Sequence, residues 1–265
     1  MSQQAQVLEG KIAIVTGATA FIGKAAAGKL ASQGATVVVN GRNPEAGARV
    51  VEEIEAQGGK AVFERADLMD PAQVQAMADR VAERLGRIDI LVASGAGAST
   101  DSPSFRLFKD MEIAHFEAYI RAHWLTRVYA IRAVYPHMRK AGGGKIVAIG
   151  TDAGRVATVG ESFIGGATGG MMQMCRVLAR ELGRENIRVN MVAMSYISDA
   201  EPRWQEGSEA LMKKGAGMLE GLKKRMLFDV RCQDIGNAVA FFAGPESDAI
   251  TGQTLSVNGG LSTPG

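Results

Sequence analysis

The sequence predicts an α/β fold, a doubly wound parallel sheet of about seven strands with helices on both faces. Three observations carry this. Short runs of consecutive apolar and β-branched residues alternate with longer amphipathic stretches, the pattern of strands buried on both faces and joined by crossover helices. The first such run, K-I-A-I-V-T-G-A-T-A-F-I-G-K (residues 11–24), passes directly into a glycine turn and a helix start. The chain also holds 33 glycines among 265 residues, which suits many tight strand–helix turns.

The elements follow in order. Ile12–Val15 is a buried-type strand, and residues 24–33 follow as helix, stopped by Gly34. Residues 36–39 form the second strand. Asn43-Pro44 starts a helix to about Gln57, ended by Gly58-Gly59. Residues 61–64 are the third strand, leading to Asp67-Leu68. Asp70-Pro71 opens the helix to Leu85, with proline at the first helical position. Residues 88–93 are the fourth strand. A Gly-, Ser- and Pro-rich loop follows over 94–104, then a long helix over 112–140, bent near Pro136. Residues 145–149, 187–193 and 253–257 supply the remaining strands. Ser162–Leu182 and residues 233–243 supply the last regular helices. The stretch from about 199 to 228 is irregular, rich in Met and Lys, and suits a lid. No repeat or linker divides the chain, so residues 1–265 are expected to form one domain.

Composition excludes several classes. Hydrophobic content is 46%, enough for a sizeable core, and 30 basic against 28 acidic residues leave a net charge of +2. That balance suggests neither a nucleic-acid nor a membrane-surface partner. No apolar run reaches about 18 residues, so no membrane span is expected, and the polar N-terminus does not resemble a signal peptide. Cys175 and Cys232 are too few for a disulfide framework. Both are expected to be reduced and the protein cytoplasmic, with Cys175 a packing residue. No metal site is expected.

The strand–turn–helix at residues 11–24 is how a Rossmann-type sheet presents a helix N-terminus to a pyrophosphate. Thr16, Gly17 and Gly23 stand where that turn needs them, and ligands bind beyond the C-terminal strand ends in such a sheet. Gly23 serves helix–strand packing even without a ligand. Phe21 does not fit, because phosphates approach bare backbone where it stands. After the second strand, Gly41 occupies the place of an acidic ribose binder. Arg42 beside it either favours a 2′-phosphate, hence NADP over NAD, or is simply a surface arginine.

Taken together, L-E-G-K-I-A-I-V-T-G (8–17), A-D-L (66–68), I-D-I-L-V (88–92), G-G-K-I-V-A-I (143–149), L-A-R-E-L (178–182), I-R-V-N (187–190) and I-T-G-Q-T-L-S-V-N-G-G (250–260) resemble the short-chain dehydrogenase/reductase family along nearly the whole chain. The resemblance implies an NAD(P)-dependent alcohol/ketone oxidoreductase that forms a homodimer or homotetramer, with Asp67 at the adenine end of the cofactor. It also implies departures. The position of a turn glycine is Phe21, and the family's N-N-A-G stretch reads Ala93-Ser94-Gly95-Ala96. The active-site Asn falls on His123 and the catalytic Ser on Thr151. The catalytic Tyr falls on Ile164 and its Lys on Thr168. The Pro-Gly after the sixth strand falls on Met194-Ser195, and the Thr beyond it on Asp199. A Tyr of lowered pKa protonates the alkoxide formed by hydride transfer, and isoleucine has no proton to give. Thr16, Phe21 and Gly23 also resemble the T-x4-F-x-G turn of halohydrin dehalogenases, which keep this fold without hydride chemistry.

His115, Tyr119, His123 and Arg127 recur every four residues and are expected on one helical face. His123 is the candidate acid or base, being able to titrate near neutral pH. Asp152, beside Thr151, is a candidate to orient it, and a Thr–His–Asp set would suggest nucleophilic chemistry. Ser162 and Asp199 are further candidates at the same mouth. Trp124 and Trp204 either line an apolar pocket or simply pack. Three functional classes stay open: an oxidoreductase with an unusual acid, a non-redox enzyme using the same cleft, and a catalytically inactive partner of an active homologous subunit.

Overall fold

The structure, a computed structural model, describes residues 6–96, 107–200, 221 and 223–263. Seven strands form one parallel sheet: β1 Ile12–Val15, β2 Thr36–Gly41, β3 Lys60–Arg65, β4 Ile90–Ala93, β5 Gly144–Thr151, β6 Ile187–Met194 and β7 Thr254–Val257. Their spatial order is β3-β2-β1-β4-β5-β6-β7. The order reverses between β1 and β4, which are paired through Ala13↔Ile90, Ile14↔Leu91 and Val15↔Val92. The ligand crevice of such a sheet opens at that switch, above the C-terminal strand ends.

Helices α1 Phe21–Ser32, α2 Pro44–Ala56 and α3 Pro71–Leu85 follow the first three strands. Asn43 caps α2 by accepting from the Glu45 and Ala46 amides at 2.9 and 3.1 Å, and Asp70 caps α3 by accepting from Ala72 and Gln73 at 2.9 and 3.3 Å. Each cap precedes a proline at the first helical position. Gly86 ends α3 in the left-handed region at φ +82°. One face of the sheet packs its apolar residues with α1, α2 and the last helix, α7 Cys232–Ala243. The other packs with α3, α5 Thr126–Lys140 and α6 Ser162–Leu182.

The expected helix over 112–140 is three segments: α4 Ile113–Tyr119, a π-helical turn Ile120–Leu125, and α5. The π turn inserts extra backbone between the candidate residues and breaks the regular four-residue phase. Such turns recur at functional sites. α5 runs through Pro136 to Lys140. The proposed lid over 199–228 lies mostly outside the described residues, as does Trp204.

Asn40 is the polar pin of the β1–β2–β3 edge. It is fully buried; its Oδ1 accepts from the Gly17 amide at 3.3 Å and its Nδ2 donates to the Glu64 and Ala66 carbonyls at 3.2 and 3.3 Å. Asn40→Ala would leave buried backbone groups unpaired, so a loss of about 1–3 kcal/mol is expected, read from the urea midpoint.

Candidate active site

The switch point is built from backbone in contact with backbone. Gly17 has φ +65°, and a Cβ there would stand 2.6 Å from the Gly95 Cα. A Cβ on Gly23 would stand 2.2 Å from the Gly17 carbonyl oxygen. Both glycines are therefore required by packing. Thr16 is almost fully buried. Its hydroxyl donates to the Val92 carbonyl at 3.2 Å and accepts from the Ser94 and Gly95 amides, both at 3.1 Å. It holds the loop after β4 rather than offering its hydroxyl to a ligand.

Phe21, at the start of α1, has φ +46°, one of two non-glycine residues in the left-handed region among those described. An L-residue pays about 1–2 kcal/mol for that conformation, which glycine adopts freely. The Phe21 ring is half-buried and packs onto the apolar cluster on the α1–α7 face of the sheet. On the adenosine side, a Cβ on Gly41 would meet the Thr19 methyl at 2.4 Å. Thr19 thus fills the space over Gly41, a contact the sequence did not reveal. Thr19 and exposed Arg42 line one open groove with Asn43, Pro44 and Glu45. Asp67 makes a local turn: its Oδ1 accepts from the Met69 amide at 2.9 Å.

The second half of the site lies where β5 meets α6 and the π turn. Thr151 ends β5, and its Oγ1 accepts from the Ala153 amide at 3.3 Å. Asp152 is buried and fully engaged elsewhere. Its Oδ1 accepts from Ser256 at 2.6 Å and pairs with Arg155 at 3.1 Å, and its Oδ2 accepts from Asn258 at 2.7 Å. The expectation that Asp152 orients His123 is corrected: its carboxylate is spent on Arg155, Ser256 and Asn258 and ties the end of β5 to β7. Asp199 likewise works in the scaffold, accepting from the Cys232 amide at the start of α7 at 2.9 Å.

His123 lies in the π turn, half-buried, its ring stacked on Tyr119 with centroids 4.1 Å apart. Arg127 donates from Nε to the Ile149 carbonyl at 2.9 Å and from a terminal nitrogen to the His123 carbonyl, so it ties the π turn to the end of β5. His115 is spent on capping α4, its Nδ1 accepting from the Glu112 amide at 3.0 Å. Trp124 packs rather than lining an open pocket: a Cβ on Gly170 would meet its ring at 2.5 Å. Ile164 and Thr168 lie on α6, one turn apart. The Thr168 methyl stands 2.8 Å from where a Gly150 Cβ would be, so this side chain is packed onto β5. Phe163 stacks on Phe116 at 3.7 Å and joins α4 to the first turn of α6.

Glu161, immediately before α6, escaped sequence analysis. Burial pushes its carboxyl from an ordinary 4.5 up to about 7. Burial also raises the neighbouring Tyr119 phenol; Arg127 offsets part of this, and the negative charge of Glu161 raises it further. A glutamate before a helix reads as an ordinary capping residue, and only its burial in the folded chain raises its pKa. Cys175 and Cys232 are free thiols, both pushed up to about 12 by burial, and are not nucleophiles at neutral pH.

Comparison with known proteins fits this geometry. Residues 17–262 match the family described as enoyl-(acyl carrier protein) reductase. The chain is 34% identical over 253 residues to 7α-hydroxysteroid dehydrogenase of Escherichia coli K12, covering 96% of this chain and 94% of that protein. The chain belongs to the short-chain dehydrogenase/reductase family. Another member, 3-oxoacyl-[acyl-carrier-protein] reductase FabG of the same organism, is 34% identical over 257 residues, covering 96% of this chain and 98% of that protein. Among solved members, a 7α-hydroxysteroid dehydrogenase complexed with NADH and 7-oxo glycochenodeoxycholic acid superposes with a TM-score of 0.84 at 31% identity, covering 98% of this chain and 97% of that chain. A dehydrogenase/reductase from Sinorhizobium meliloti 1021 gives 0.83 at 28% identity, with 98% of each chain covered. The family's seven-stranded parallel fold is therefore shown for this chain. No helix among the described residues is long and apolar enough to cross a membrane.

Glu161 gives a pH test. Its pKa in the folded protein lies above its unfolded value, so the protonated form favours the fold. That advantage is full below about pH 4.5 and is lost as pH rises toward about 7. The charged form then costs up to about 3 kcal/mol above pH 7. Glu161→Gln should leave Tm nearly unchanged at pH 4 and raise it relative to the native protein at pH 8. An equal change at both pH values would contradict the burial argument.

Proposed function

We propose that this protein is an atypical member of an oxidoreductase family whose own hydride-transfer site is degenerate, and that it works as the companion of an active homologous subunit. The observation that carries this reading is Phe21, an aromatic residue held at φ +46° in a turn where glycine belongs. A dinucleotide pyrophosphate needs bare backbone at that point, and the residues present do not fit it. Ile164 and Thr168, at the positions assigned by resemblance to the catalytic Tyr and Lys, agree with this: neither carries an acid or a cation, and Thr168 is packed onto Gly150. The missing general acid corresponds to a rate loss of roughly 10²–10⁴.

Calorimetry of the purified chain should show no low-micromolar binding of NAD(H) or NADP(H). Standard ketones and alcohols should show no turnover above background. Phe21→Gly should increase dinucleotide affinity, with NADP preferred, and Arg42→Ala should remove that preference. Tight binding by the native protein would overturn the reading.

An oligomer belongs to the same proposal. Val177, Phe241 and Leu255 stand 43%, 40% and 40% exposed on α6, α7 and β7. The family resemblance expects one interface on the helices over 112–140 and α6 and a second on β7, in a homodimer or homotetramer or with an active homologue. Light scattering should show at least a dimer at micromolar concentration, and Leu255→Asp should shift it toward monomer. A native monomer at that concentration would sink the idea.

A second reading rests on Glu161. A carboxyl raised to about 7, beside Tyr119 and the His123 ring stacked on it, suits proton transfer near neutrality without a nicotinamide. On this reading the cleft supports a lyase, isomerase or dehalogenase-like reaction with Glu161 or His123 as acid or base. His123→Ala should then lower any native activity by roughly 10² or more.

A further inference from the structure

A second cavity, of about 400 Å³, lies between the C-terminal half of α6 and the chain entering β7. Arg155, Arg176 and Arg180 line it, with Ala179 and residues 251–254, and none of these lining residues is acidic. Arg155 is mostly buried. Its terminal nitrogens go to Asp152 at 3.1 Å, to the Thr254 carbonyl at 3.4 Å and to Ser256, while its Nε is buried with no hydrogen-bond partner. Arg176 reaches only the neutral Gln173, at 3.4 Å. Arg180 makes no hydrogen bond or ion pair among the described residues. Arg176 and Arg180 are four residues apart on one helix, a like-charge spacing that is unfavourable without a counter-charge. Asp152 balances one guanidinium and leaves two.

We propose that this cavity binds a compact anion bearing phosphoryl or carboxylate groups. Guanidinium groups present forked N–H donors that match such oxygens two at a time. The cavity volume falls near the lower end of the roughly 300–1,000 Å³ of small-molecule sites, the size of a phosphoester or a short polycarboxylic acid rather than a dinucleotide. Through Arg155 and Asp152 the cavity is wired to Thr151, so a bound anion would sit one ion pair away from the end of β5. None of its lining residues belongs to the glycine turn or to the Glu161–Tyr119–His123 group, but all except Arg155 lie on α6 or lead into β7, elements named above for a subunit interface.

The test is calorimetric titration of the full-length protein with pyrophosphate and, separately, tricarballylate, in chloride buffer at fixed ionic strength. Saturable binding of at least one, with Kd below roughly 1 mM, is expected, weakened about tenfold or more in Arg176→Gln/Arg180→Gln. The anion that binds more tightly identifies the phosphoryl or carboxylate class. Both arginines are exposed on the helix surface, and circular dichroism checks that the variant folds. Independently of any variant, the bound anion should protect Arg176 and Arg180 from phenylglyoxal, mapped by mass spectrometry. No saturable binding of either anion, a weakening smaller than tenfold, or protection only at other arginines would overturn the proposal.

Discussion

The structure depends on the close approach of Gly17, Gly23 and Gly95 at the point where the sheet reverses. β1 and β4 can be neighbours there, with α1 springing from the same turn, only because no side chain stands between the three backbones: a Cβ on Gly17 or Gly23 would lie 2.6 or 2.2 Å from a main-chain atom. Thr16 and Asn40 supply the polar half of the same joint. They satisfy amides of Gly17, Ser94 and Gly95 that have no strand partner. This joint fixes the floor of the crevice. The glycines that hold the backbone and the residue that would meet a phosphate answer to different forces.

A second close approach shapes the other half of the crevice. Gly154 and Gly169 bring the loop after β5 within backbone contact of α6, and Gly165 meets the Ala153 carbonyl. Behind this contact Asp152, Arg155, Ser256 and Asn258 form a buried polar network that anchors β7. A buried carboxylate requires such partners, and having them it is unavailable to His123. The aspartate beside the candidate Thr151 is thus a structural member, whereas the glutamate nine residues later carries the perturbed proton.

The two carboxylates illustrate how enclosure decides chemistry. Asp152 is compensated by a guanidinium and two neutral donors. Glu161, beside Tyr119, has no such compensation, and burial raises it to about 7. The π turn matters here, because its extra residue sets how Tyr119 and His123 stack and which groups close over α6.

By itself the sequence determined the strand–helix alternation, the helix starts at Asn43-Pro44 and Asp70-Pro71, the stops at Gly34 and Gly58-Gly59, and the family of the fold. These follow from local rules: runs of Ile and Val buried on both faces, Asx-Pro helix starts, glycine at positive φ. The readings of Phe21, Ile164 and Thr168 came from residue identity and register within the resemblance. Only the tertiary structure decided what the polar residues do. Thr16, Asp152, His115 and Asp199 hydrogen-bond into the scaffold, and Thr19 fills the space over Gly41. Glu161 and the three arginines of the second cavity gained their character from elements distant in sequence. Hydrogen-bond commitment, desolvation and charge excess are sums over neighbours in space, and no spacing along the chain encodes them.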